Sequence, residues 1–124
     1  LIQAMFDEMG VGEEGARIID EERKSVIKVN NDGVLLAKDG RFEEGLSLLQ
    51  QAAEELPNNL TCTVNVVLAT LIQMQLKGVT QQVRFIAHEY LGRADRLAPR
   101  SPKVAQMRER LSQLESKAAA ATGA

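Results

Sequence analysis

The chain holds one cysteine, one histidine, no tryptophan, four other aromatics and three prolines, and each scarcity closes off a class of protein. With Cys62 alone no intrachain disulfide can form, so the fold must be held by its core. Cys62 has no basic neighbour in sequence and opens an apolar run, which marks a packing residue and not a nucleophile. Zinc takes four nitrogen or sulfur ligands, or three and a water. His88 has neither Cys62 nor a carboxylate at helical i,i+4 spacing, so no metal and no cofactor are expected. Single-stranded nucleic acid is held by charge together with stacking aromatics. Tyr90 is the one aromatic near Arg93, Arg96, Arg100, Lys103, Arg108 and Arg110, and no nucleic acid is expected.

A signal peptide and an apolar run of membrane length are also missing from the sequence, which points to a cytoplasmic protein with no membrane partner. Neither a glycine-rich phosphate loop, a G-x-S-x-G elbow nor an H-E-x-x-H helix occurs, and no catalytic residue is expected. The paired acids Glu43-Glu44 and Glu54-Glu55 point in different directions on a helix and read as solvated charges.

What is present is 44% hydrophobic residues in 124, enough for one domain with a core. The formal net charge is −2, but residues 1–59 carry 13 acids and 6 bases while residues 60–124 carry 4 acids and 9 bases. That polarity can orient a partner or favour head-to-tail contacts. Small residues punctuate the stretch Asn30–Asn59 where a helical hairpin needs them: Gly33 within a first helix, Gly40 in a turn, Gly45 and Ala52 on a second helix, Pro57 ending it.

Apolar spacing extends this into an all-helical chain with helices near 1–9, 13–38, 42–55, 60–77, 80–97 and 102–117. Residues 13–38 read as one helix, with a break at Ser25, acting as an N-cap, as the alternative. The stretch TCTVNVVLATLI is rich in β-branched residues that favour strands, yet its place after a helix-ending Pro57 predicts a helix. Ala87, Leu91, Ala94 and Pro99 each follow Gly45, Leu49, Ala52 and Pro57 by 42 residues, whereas Asn65 follows Asn31 by 34. An eight-residue insertion around 76–80 therefore lengthens the connection, and longer helices follow. Ser101-Pro102 opens the last helix, and the alanine-rich tail 118–124 is expected to fray. Leu36, Leu49, Ala52, Leu91 and Ala94 are the expected core contacts.

A helix–turn–helix unit of about 34 residues is the tetratricopeptide period, and the stretch around Asn30–Asn59 resembles that unit. With Pro57 as the closing proline, Gly33 takes the small position of helix A, Leu36 the large one, Gly40 the turn and Phe42 the aromatic opening helix B. Gly45, Leu49 and Ala52 fill the remaining positions, while Val29, Asp32 and Val67 depart from the pattern. The longer string DEERKSVIKVNNDGVLLAKDGRFEEGLSLLQQAAEELPNN, with TVNVVLATL after it, resembles the helical-repeat module that follows a receiver domain in some bacterial two-component response regulators.

The resemblance implies antiparallel helix hairpins, about two tetratricopeptide-like repeats at 26–117, after an N-terminal helical extension at 1–25 and before a flexible tail at 118–124. It implies a non-catalytic module for protein–protein interaction, the output or adaptor part of a signalling protein, with a receiver domain upstream. In such domains an asparagine at the position of Asn31 and Asn65 commonly faces a concave groove, where its amide can hold a peptide backbone. Lys38 would add selection for an acidic or C-terminal partner. The other reading is that both asparagines cap or bridge helices.

A structural module joining two copies is the alternative function. Leu1, Ile2, Met5, Phe6 and Met9 form an apolar side of the first helix, and contiguous apolar surface of this kind marks interfaces. It predicts self-association or docking to an upstream domain; packing on the repeats is the remaining possibility.

Overall fold

The computed structural model describes residues 2–9 and 21–121, and these form six helices. They are α1 (Ile2–Glu8), α2 (Glu21–Lys38), α3 (Phe42–Glu55), α4 (Leu60–Lys77), α5 (Gln81–Leu97) and α6 (Pro102–Ala121). No strand occurs among the described residues.

The helix ends follow from the groups that can satisfy leftover backbone donors and acceptors. Gly40, at φ +85°, closes α2: its N–H donates to Ala37 O at 3.1 Å and the Arg41 N–H to Leu36 O at 2.9 Å. That pair of bonds is a Schellman cap, which a glycine enters without Cβ strain. Asn59 caps α4 by accepting from the Cys62 N–H at 3.0 Å, and Thr80 caps α5 by accepting from the Val83 N–H at 3.2 Å. Ser101 accepts from the Val104 N–H at 3.3 Å, with Pro102 in the first helical position as its sequence predicts.

Helix α4 is the centre of the core. Every residue from Cys62 to Ile72 is buried, and α1, α2, α3, α5 and α6 all pack on it. A helix enclosed on all sides is apolar all round, and this enclosure overrides the strand preference of its valines and threonines. It also corrects the expectation that no apolar run reaches membrane length: α4 does, with a mean hydropathy of 1.2 over 18 residues, and it is largely covered by its neighbours.

The remaining contacts join α2 to α3 and α5 to α6. Leu49, Ala52, Leu91 and Ala94 are buried as expected, but Leu36 is only half-buried, because Val34 and Ala37 take the inward positions of α2. At the α2–α3 contact the backbones nearly touch. A Cβ placed on Gly45 would lie 2.8 Å from both Ala37 N and Gly33 O. Gly92, within α5, is the contrasting case, since a Cβ there meets only Arg96 Nη1 at 3.7 Å. Gly92→Ala is accordingly expected to raise stability by about 0.8–1 kcal/mol through helix propensity alone, read as a higher urea midpoint; an unchanged or lower midpoint would contradict this packing.

The eight-residue lag between the two hairpins sits in the helices, and the connection within each hairpin stays at three residues. Set back by 34, α4 ends at the position of residue 43, five past Lys38; set back by 42, α5 begins at the position of residue 39, three before Phe42. Helix α2 runs through Ser25 without a break, which agrees with the one-helix reading over the part described, while the expected start at 13–20 lies outside the described residues. One further expectation changes. Helix α6 continues to Ala121, because alanine is the strongest helix former and Ala118 and Ala121 lie beside Met74 and Val79.

Candidate functional site

The three residues expected to form a peptide groove do not share an open surface. Asn65 is fully buried and donates from Nδ2 to Asn30 Oδ1, also fully buried, at 3.1 Å. Asn30 Nδ2 in turn donates to Asn31 Oδ1 at 3.3 Å, and Asn31 is half-buried. Asn65 is thereby corrected from a groove residue to a bridge between α4 and α2. The 34-residue spacing pairs it with Asn31, but the packing of the helices sets it against Asn30, one residue and about 100° of helix rotation away. Lys38 is exposed at the end of α2.

The apolar side of α1 is also turned inward. Met5 and Met9 are buried within the chain, at 1% and 4% exposure, and Ile2 and Phe6 are partly covered. The expectation of an open apolar side is corrected for these residues, because α1 packs on α4; Leu1 lies outside the described residues. Glu8 closes the contact, its Oε2 2.8 Å from Arg110 Nη1 and its carbonyl 3.3 Å from Lys103 Nζ.

Four of the six bases considered for nucleic acid are engaged inside the chain: Lys103 and Arg110 with Glu8, Arg108 with Asp95 at 3.6 Å, and Arg93 with Glu54. Arg93 also stacks over the Tyr90 ring, 4.5 Å from its centroid, and the Tyr90 hydroxyl donates to the same Glu54 oxygen at 3.0 Å. The hydrogen bond from Arg93 holds Glu54 below the usual carboxylate range, and burial, with Glu54 beside it, pushes the Tyr90 hydroxyl up. This cluster ties α3 to α5.

A second cluster ties α5 to α6, with Arg84 Nε 2.7 Å and His88 Nε2 2.8 Å from Glu115 Oε2. Burial raises the Glu115 pKa, but the hydrogen bonds and charges of His88 and Arg84 outweigh it, and the carboxyl sits below its ordinary value of 4.5. Its stabilisation is therefore complete above about pH 4.5 and is lost as pH falls through the lower, folded value. Glu115→Gln should destabilise the chain by about 1 kcal/mol at pH 7, the partly exposed partners limiting the effect. The variant should also lose less stability than the native chain between pH 5 and 3, so melting curves that stay parallel over that range would contradict the assignment.

An open concave surface among the described residues lies elsewhere, between α3, the end of α4 and the start of α5. This cleft of roughly 490 Å³ has an apolar floor of Leu46, Val83 and Ile86. Glu43, Ser47 and Gln50 of α3 form one wall, at the i, i+4, i+7 spacing that keeps them on one face. Thr80 and Gln82 form the other. Gln73 of α4 also lines it, and its Oε1 is buried with no hydrogen-bond partner among the described residues. Phe85, the neighbour of Ile86, is 68% exposed. An amide both donates and accepts, so three glutamines around an apolar floor can match the alternating groups of an extended backbone. The sequence carried half of this signal: the α3 stripe is regular, but polar residues at helical spacing read equally as solvated surface.

Comparison with family models, with curated proteins and with solved structures gives no match in any of the three. Among the described residues no group of three or more His, Cys, Asp or Glu side chains is placed to hold a metal ion.

Proposed function

We propose that α2–α3 and α4–α5 are two antiparallel, tetratricopeptide-like hairpins, capped by α6, and that the chain is a non-catalytic module that binds an extended segment of a protein partner. The sequence resemblance places such a module at the output end of a bacterial response regulator in the cytoplasm. What supports the repeat reading is two successive pairs of contacting helices, α2–α3 and α4–α5, whose second members end 42 residues apart, at Glu55 and Leu97. The observation that carries the binding reading is the α3–α5 cleft, with amide and hydroxyl groups on both walls around an apolar floor.

Ser47 and Gln82 are exposed, so replacing them leaves the core alone. Immobilised chain should capture a protein from a bacterial lysate, and Ser47→Ala with Gln82→Ala should weaken that capture about tenfold, as two lost hydrogen bonds of about 0.5–1.5 kcal/mol each require. The melting temperature should stay within a degree or two of the native value. Equal capture by the native and doubly substituted chains would move the binding surface away from the cleft.

A further inference from the structure

Gly92 lies within α5, where glycine is a poor helix former, and nothing in the chain's own fold requires it. Its φ is not positive, unlike those of Gly40 and Gly78, and an added Cβ would meet only Arg96 Nη1, at an ordinary 3.7 Å. Gly33 and Gly45, by contrast, stand where the backbones of α2 and α3 nearly touch. At Gly92 the backbone is equally open to close approach, but no helix of the same chain makes it. At about 100° of rotation per residue, Phe85, Glu89 and Arg96 fall on the same side of α5 as Gly92. All three are exposed, Phe85 to 68%. Glu89 reaches Arg93 at 3.7 Å, but Arg93 is already held by Glu54. Arg96, in the last turn, complements the negative end of the helix, yet it makes no ion pair or side-chain hydrogen bond among the described residues.

The order of these groups along α5 says what fits them. Glu89 is three residues before Gly92 and Arg96 four after it, an acid and a base at nearly equal distances from the glycine. Turning a second α5 end for end about that point sets each Glu89 against the partner's Arg96, so the face is complementary to itself. The same rotation brings Phe85 opposite Pro99, each seven residues from Gly92 and each exposed. A partner of uniform charge would match one of the two charged residues and repel the other. We propose that this face of α5 is the contact between two copies of the chain, crossing antiparallel at Gly92. Such a contact is isologous and closes at two copies. It does not depend on the occupant of the α3–α5 cleft, so failure of either reading leaves the other standing.

Sedimentation of the whole chain is the test. The average mass of the unaltered chain should rise from one chain toward two in a series reaching about 1 mM, where even a weak contact shows. Glu89→Arg and Arg96→Glu, both at exposed positions, set like charges against each other at both symmetric contacts, and each should weaken pairing about tenfold. Carried together on one chain, the two changes restore opposite charges at both contacts, and this double variant should pair as the unaltered chain does. The gain in stability expected of Gly92→Ala belongs to the single chain and is read in dilute solution. A mass that stays at one chain throughout the series overturns the proposal, and that reading needs no variant to fold. Pairing that the single variants leave unchanged, or that the double variant fails to restore, overturns it as well.

Discussion

Asn65→Ala is expected to cost about 1–3 kcal/mol of stability, the usual effect of stripping a buried polar group of its partner. Asn65 and Asn30 are both fully buried, and the substitution removes the donor that Asn65 Nδ2 gives to Asn30 Oδ1 at 3.1 Å. It also leaves a space where the amide stood. Asn31→Ala, at a half-buried position on the edge of this chain of amides, should cost less than 1 kcal/mol. Replacing both Asn30 and Asn65 by leucine should cost much less than the sum of the single changes, because the double variant leaves neither amide stranded. Urea midpoints of these variants decide the matter. An Asn65→Ala midpoint equal to the native one would return Asn65 to the role of a solvent-facing ligand group.

Gly45→Ala should destabilise by about 1–3 kcal/mol, although helix propensity alone favours alanine by about 0.8–1 kcal/mol. Packing wins because the added Cβ meets backbone: Ala37 N and Gly33 O at 2.8 Å, and Ala37 Cα at 3.3 Å. Main-chain atoms of α2 cannot swing aside, so α2 and α3 must separate. Gly33→Ala meets Leu49 Cγ at 2.9 Å and Gly45 O at 3.0 Å, and the leucine can yield in part, so its cost should be smaller. With Gly92→Ala stabilising, the three glycine variants fall in a fixed order, and thermal melts that place Gly45→Ala above Gly33→Ala would refute the close approach of these helices.

Features governed by neighbours in sequence were legible before the structure. The caps at Gly40 and Ser101, the stop at Pro57, the start of the last helix at Pro102 and the lag between hairpins all follow from local chemistry and spacing. What escaped depends on how helices cross. The pairing of Asn65 with Asn30 turned on one residue of register. The clusters at Glu54 and Glu115 join residues 27 to 39 apart with no local pattern to announce them. The amphipathic spacing of α1 was visible, but its apolar side has the same sequence whether it meets a partner or the chain's own α4. At the cleft, the exposed stripe on α3 was readable, while the place of Gln73 in its lining needed the packing of α4 against α3 and α5.

Side-chain amide resonances test most directly, residue by residue, whether the α3–α5 cleft takes an extended peptide. A peptide selected from a displayed random library against the whole chain should, on titration, shift the amide signals of Gln50, Gln73 and Gln82 together. The signals of buried Asn30 and Asn65 should stay in place. If no peptide is selected, or if a bound peptide moves signals elsewhere while those three glutamines stay unchanged, the cleft is not the binding site.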